Sequence, residues 1–202
     1  MNTNSTYSVL KRVVDVIGAT LALVVLSPVF VTVAALVRLT SGCPIFFVQE
    51  RVGRGGRPFR LLKFRSMVPN RPGLEVTASD DTRITPIGRY LRRYKLDELP
   101  QLFNVLKGDM SFVGPRPEVR HYVELFAADY ARILCVRPGL TDFAAIEFCD
   151  EESLLATAPD PERAYVESIL PAKIVLYDRY LQRMSLTTDL SILTRTLVAL
   201  IK

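Results

Sequence analysis

The sequence predicts a mainly α-helical protein with one small β-hairpin, an α+β fold attached to an N-terminal membrane element. Three observations carry this. Val16–Val37 is an apolar run of membrane length without one charged side chain. Two short apolar-rich stretches, 45–49 and 58–67, flank Gly53, Gly55 and Gly56 and read as a hairpin. Much of the rest repeats apolar residues at helical spacing. The 202 residues suffice for one domain with its own core. The chain therefore divides into a membrane element over 1–40 and one body over 41–202.

Within the apolar run, Ser27-Pro28 falls near the middle, where proline removes a backbone donor and clashes with the preceding turn, so a kink is expected. Each arm is about 15 Å long at ~1.5 Å per residue, roughly half of a ~30 Å hydrocarbon core. Lys11 and Arg12 stand before the run; Arg38, Arg51, Arg54, Arg57 and Arg60 follow it. Both ends thus carry the charge of a cytoplasmic flank. A helix that enters, breaks and returns satisfies both flanks, with the Ser27 hydroxyl bonding a freed carbonyl. A kinked spanning helix remains open on these grounds.

Further along, 69–81 reads as a surface loop bordering the site. Ile84, Ile87, Leu91 and Tyr94 recur at helical spacing, with Arg89, Arg92, Arg93 and Lys95 on the other faces. That helix either lies on the membrane surface as an interfacial element or packs as an ordinary amphipathic helix. A short helix after Pro100 ends at Gly108, and another starts near Pro117. Three more cover 161–170, 172–184 and 188–201, the first two separated by Pro171. The last carries Leu190, Leu193, Leu197 and Leu200, a stripe for the core or for a membrane.

Lys and Arg outnumber Asp and Glu by 26 to 21, and the surplus lies between Arg38 and Lys95. Such a patch suits phosphates or anionic lipid headgroups; without a recognised nucleic-acid motif, no nucleic-acid partner is expected. Cys43, Cys135 and Cys149 are odd in number and form no C-x-x-C pair, which excludes a disulfide framework and a zinc site and fits a reducing cytoplasm. The single histidine, His121, leaves no His-based metal cluster and no Ser-His-Asp arrangement. Any metal is then held by carboxylates and is hard, such as Mg2+.

The densest constellation is Lys95-Leu96-Asp97-Glu98-Leu99-Pro100, between Arg89, Arg92, Arg93 and Gly114-Pro115-Arg116-Pro117-Glu118. Pro100 disfavours helical geometry at Leu99, so Asp97 and Glu98 sit at a helix break and can face one pocket. The start of the next helix offers N–H groups to a diphosphate. Simple helix capping also accounts for the two acids. Lys63 and Arg65 alternate along a strand and share a face that could grip phosphate, or be plain solvated charge. Gly53-Arg54-Gly55-Gly56 lacks the spacing of a phosphate loop and is read as a turn.

In this order, the broken apolar segment, Lys63-Phe64-Arg65-Ser66-Met67, the run Leu96-Asp97-Glu98-Leu99-Pro100-Gln101-Leu102-Phe103-Asn104-Val105-Leu106-Lys107-Gly108-Asp109-Met110-Ser111, and Gly114-Pro115-Arg116-Pro117 resemble the bacterial sugar transferase family, the monotopic phosphoglycosyl transferases. The resemblance covers Lys11 to about Gly139 and the helix around Asp189. It implies that the helix broken at Ser27 and Pro28 re-enters, placing the site at the cytoplasmic face of a bacterial inner membrane among phospholipid headgroups. It also implies that Asp97 attacks the β-phosphorus of a UDP-sugar, expelling UMP, and that polyprenol (undecaprenyl) phosphate takes the phosphosugar from the carboxylate. Glu98 assists through Mg2+, which both acids would ligate, or through proton handling. Lys63, Arg65, Arg89 and Arg116 are the implied substrate-binding cations, and a homodimer is compatible with the pattern. The sequence departs from the family after Arg137-Pro138-Gly139-Leu140-Thr141. Asp142 to Phe148 replace the usual Gly-Trp-Ala-Gln-like stretch, which leaves the sugar undecided and makes Asp142 and Glu147 candidate sugar or metal contacts. Two other readings compete: a membrane-anchored basic adaptor, and a Mg2+-dependent nucleotide-sugar diphosphate hydrolase.

Overall fold

The computed structural model describes residues 5–68 and 76–201. It is mainly helical with a small antiparallel hairpin. Helix α1 (Ser5–Val25) and helix α2 (Ser27–Ser41) meet at a 64° bend, with Pro28 in the first turn of α2 and the Ser27 hydroxyl donating to Val24 O at 2.8 Å. Among the described residues no single helix is long and apolar enough to cross a membrane, but the bent pair passes that test together. The apolar run therefore breaks where the sequence places the break, while α1 begins eleven residues earlier than the uncharged run because its first turns dock on the body.

That docking is polar and specific. Lys11 donates to Asp189 at 2.6 Å, Arg12 donates to Val105 O and Leu106 O, and Asp15 accepts from the Ser111 hydroxyl and Phe112 N, both at 3.0 Å. The other arm returns to the same body: Val33 and Val37 pack with Phe64 and Leu91, and Arg65 caps Ser41 O and Gly42 O at the end of α2. Between these feet, Leu21, Val24, Val25 and Val31 are exposed.

Strands β1 (Phe46–Val52) and β2 (Pro58–Phe64) form the hairpin, pairing Phe46 with Phe64 and Val52 with Pro58. It is shorter on its second side than the sequence suggests, since Met67 bridges to Ile84 instead. Of the 69–81 loop, 69–75 lie outside the described residues, and Val76 enters the main core. Helix α3 (Pro86–Arg93) is capped by Thr85, whose hydroxyl accepts from Gly88 N. A 3-10 turn, Leu96–Glu98, leads into α4 (Gln101–Lys107), closed by Gly108 at φ 96°.

A second, parallel pairing escaped the sequence reading. Strands β3 (Ser111–Val113) and β4 (Gly139–Thr141) are only three residues each and bring the Gly114-Pro115-Arg116-Pro117 loop against the Arg137-Pro138-Gly139 turn. The approach needs glycine on both sides: a Cβ on Gly139 would lie 2.2 Å from Gly114 N, and one on Gly114 would lie 2.6 Å from Arg137 O. The helix expected near Pro117 starts later, as α5 (Arg120–Leu125), after an extended Val119. Helices α6 (Ala127–Ile133), α7 (Phe143–Glu147), α8 (Glu151–Ala156) and α9 (Pro161–Ala164) follow. Pro171 does not separate two helices. A π-helical turn over Tyr165–Ile169, in which Leu170 N reaches Tyr165 O, widens the backbone just before the residue that lacks an N–H, and α10 (Leu170–Gln182) continues.

Helix α11 (Leu186–Ile201) corrects the leucine stripe. Asp189 and Ile192 are buried and Leu193 is half-buried, whereas Leu190 and Leu197 are exposed; the side chain of Leu200 lies outside the described residues. The main core gathers α5, α6, α10 and α11, with smaller clusters under α1 and α2.

Candidate active site

A cleft of about 1780 Å³ runs between the end of β2, the 3-10 turn, the Gly114–Glu118 loop and α8 and α10, and opens along α1 and α11. Its floor is built by the longest motif. Asn104 on α4 is 3% exposed; its Oδ1 accepts from Leu62 N at 3.1 Å and its Nδ2 donates to Arg60 O at 2.7 Å, which fixes β2 on α4. Lys63 thereby reaches Glu98 at 2.9 Å. On the other side, the glycine contact at β3 and β4 holds the loop from which Arg116 ion-pairs with both oxygens of Glu98. Before the acids, Lys95 sits in the left-handed region at φ 53°, a strained conformation for a lysine at a cleft wall.

The two neighbouring carboxylates differ sharply. Burial opposes ionisation of Glu98, yet Arg116 and Lys63 outweigh it and hold its carboxyl well below the usual range. Asp97 is 3% exposed and its Oδ1 has no hydrogen-bond partner. Burial pushes its carboxyl up, the Glu98 charge adds to this, and Lys63, Arg92 and Lys95 pull the other way. Burial lowers Lys63 despite its ion pair, and Glu98 raises Arg116 further. Glu98 is thus a clamped anion that organises cations, and Asp97 is the carboxylate with an uncommitted oxygen.

Lys63, Asp97, Glu98 and Arg116 therefore converge, as the sequence suggests. Arg65 lines the cleft, but its guanidinium serves the carbonyls at the end of α2, so it does not share a phosphate-gripping face with Lys63. Arg89 is exposed on α3 and lies off the cleft; helical phase puts Arg92 there instead, forked onto Glu152 at 2.7 and 3.1 Å. Asp142 is a structural cap: it accepts from Ala145 N at 2.6 Å and from Arg116 N at 3.0 Å, so it positions Arg116 from behind. Burial raises its carboxyl to about 6 against the pull of those bonds. Glu147 is exposed at the end of α7 and away from the cleft. The sequence reading missed Lys173, Tyr177 and Glu151, which line the deep end. A signal was present: Lys173 stands in the apolar stripe of Leu170, Ile174, Tyr177 and Leu181, where a lysine has no place without a partner.

The donor set suits a hard cation in part. Asp97 lines the cleft and its buried Oδ1 is an orphaned acceptor, and Mg2+ is commonly held by one or two carboxylates together with substrate phosphates. Both Glu98 oxygens are already bonded to cations, which argues against Glu98 as a ligand in this arrangement. Among the described residues, no group of three His, Cys, Asp or Glu side chains could hold a metal alone.

The sequence profile of bacterial sugar transferases matches residues 6–202. The chain belongs to the bacterial sugar transferase family. As a member it is a transferase. Similar proteins include a UDP-N-acetylgalactosamine-undecaprenyl-phosphate N-acetylgalactosaminephosphotransferase of Aeromonas hydrophila, 43% identical over 145 residues, 69% of this chain and 34% of that protein. A UDP-glucose:undecaprenyl-phosphate glucose-1-phosphate transferase of Caulobacter vibrioides is 37% identical over 198 residues, 95% of this chain and 69% of its own. The exopolysaccharide production protein ExoY of Sinorhizobium fredii is 36% identical, covering 94% of this chain and 84% of its own. The chain spans about a third of the Aeromonas protein's length. The Aeromonas and Caulobacter relatives are named for different sugars, so family membership alone leaves the donor open.

Proposed function

We propose that this protein transfers a sugar-1-phosphate from a UDP-sugar to undecaprenyl phosphate, with Asp97 as the nucleophile. The observation that carries the reading is the buried, unpartnered Oδ1 of Asp97 beside a Glu98 that gathers Lys63 and Arg116. An ionised Asp97 forms a bond to the β-phosphorus while the bond from that phosphorus to the bridging oxygen breaks, and UMP leaves. An oxygen of the polyprenol phosphate then bonds to the same phosphorus, the Asp97 carboxylate departs, and a polyprenyl diphosphate sugar results. Lys63 and Arg116, held in place by Glu98, meet the phosphate charge, with Arg92 and Lys95 along the wall. Asp97 would be the residue to hold a Mg2+ ion, which would supply charge neutralisation to the phosphate groups.

Residues 1–40 would then form a re-entrant membrane element and 41–202 the catalytic body at the cytoplasmic face. Both arms of the bend anchor on one body, at Lys11, Arg12 and Asp15 on one side and at Ser41 and Gly42 on the other, which supports return to a single face. Exposed Tyr90 on α3, Tyr94 just after it, and exposed Phe47 and Phe103 suit a headgroup layer. The test is UMP release from a panel of UDP-sugars by detergent-purified protein with Mg2+, with and without polyprenol phosphate. Asp97-dependent UMP and a lipid-linked phosphosugar are the expected products. UMP formed at the same rate without a lipid product points to hydrolysis, and folded protein that releases none points to the adaptor.

A further inference from the structure

We infer that the deep end of the cleft, built from Tyr177, Lys173 and Glu151, is the subsite that reads the hydroxyl groups of the donor's sugar ring, an inference that rests on the transferase reading above. Tyr177 lines the cleft and is fully buried, and its hydroxyl has no hydrogen-bond partner. A buried hydroxyl left without a partner costs free energy, so it is retained at a loss unless something outside the chain completes it. One turn earlier on the same face of α10, Lys173 is 4% exposed, with its Nζ 2.5 Å from Glu151 and 4.8 Å from the centre of the Tyr165 ring. The ammonium has three donors and the ion pair uses one. Glu118 closes this end, accepting from the Tyr165 hydroxyl at 2.6 Å and from Arg51.

Together these groups offer a free hydroxyl, a lysine with spare donors, a partly covered carboxylate and an aromatic wall. That mixture matches the alternating donors and acceptors of a hydroxylated pyranose, and a second phosphate would be repelled by Glu151 and Glu118. Its place in the cleft is consistent. Arg116 feels the fields of both Glu151 and Glu118, so the chamber adjoins the cation assigned to the donor's phosphate, from which the sugar hangs by one oxygen. Tyr177 and Lys173 come from α10 and Glu151 from α8, and all three line the cleft.

The experiment compares Tyr177→Phe and Lys173→Met with the full-length wild type in detergent, measuring kcat/KM for UMP release over UDP-sugars that differ at single ring hydroxyls or an acetamido group, and UMP affinity by calorimetry. Tyr177→Phe removes an oxygen that bonds nothing in the protein, so its melting temperature should not fall. The expected result is a loss of about tenfold in kcat/KM for the best donor, a changed ranking among donors, and unaltered UMP affinity. An active wild type whose donor ranking is unmoved by Tyr177→Phe, or a variant that loses UMP affinity in parallel, overturns the subsite alone. A wild type that releases UMP from no donor overturns the transferase reading, and the subsite with it.

Discussion

Asp97 and Glu98 are adjacent in the chain, and every oxygen of Glu98 is held by Lys63 or Arg116 whereas Oδ1 of Asp97 bonds to nothing. Both side chains line the same cleft, yet only Glu98 is claimed by the cation pair. The consequence is a separation of tasks that mutation should expose. Asp97→Asn is expected to cut UMP release by on the order of 10³-fold or more while leaving melting temperature nearly unchanged. Glu98→Gln should weaken activity less and stability more, by about 1–2 kcal/mol, because two cations lose their counter-charge in a partly screened site. Equal losses of stability in the two variants would refute the division.

Activity should also respond to pH through Asp97. Burial raises its carboxyl above the ordinary range and the nucleophile must be ionised, so kcat is expected to climb with pH through that raised value. Lys63→Met removes the nearest cation that favours the charged form and should move the acidic limb to higher pH. A pH–rate profile of wild type and variant checks the direction.

Much of the fold was legible because its signals are local: the apolar run, its Ser27-Pro28 break, the glycine turn of the hairpin and the spacing of Leu91 against its neighbours. The β3–β4 pairing was not, since three-residue strands have no readable period and the contact depends on Gly114 and Gly139 being pressed together by distant chain. At the site, the acid pair and Arg116 could be read from a dense motif. Arg89 and Arg92 could not be told apart without the helical phase that packs Leu91 inward, and Arg65 and Asp142 looked like ligand contacts because charge alone does not say whether a backbone group already claims it.

Asp142 makes stability depend on pH with a defined sign. Its carboxyl titrates near 6 when folded, against an unfolded value of about 4, so the native state keeps a proton that the unfolded state gives up. The resulting stabilisation is complete below pH 4 and declines as pH rises through 6. On the order of 2–3 kcal/mol at most is involved. Melting temperatures of wild type and Asp142→Asn should therefore show a gap that shifts against the wild type between pH 4 and 7. A gap independent of pH would mean that Asp142 is ionised throughout.

The foot of α1 is expected to be a stability element. Asp189 accepts from Tyr7 at 2.9 Å, Lys11 at 2.6 Å and Tyr180 at 2.8 Å, joining α1, α10 and α11 at one carboxylate. Asp189→Ala takes the shared acceptor from three donors, of which Tyr180 keeps Val113 O, and should lower the melting temperature by about 5–10 °C, from a loss of roughly 2–3 kcal/mol. Lys11→Met alone should cost less, and the double variant should be less than additive.

The same foot governs how the bend behaves in a bilayer. Pro28→Ala restores a backbone donor at the tip and removes the local reason for the 64° break, so on helix physics alone the run could straighten into a span. Straightening, however, requires one arm to leave the body: either Lys11 and Arg12 release Asp189 and α4, or Arg65 releases the end of α2. Pro28→Ala alone is therefore expected to keep both ends on one face, while Pro28→Ala combined with Lys11→Ala and Asp189→Ala should move a measurable fraction of N-termini across. Thiol labelling of a Ser5→Cys reporter in a background without Cys43, Cys135 and Cys149 reads this out in sealed vesicles. If Pro28→Ala alone transferred the N-terminus, the proline and not the paired anchors would be what holds the helix on one face.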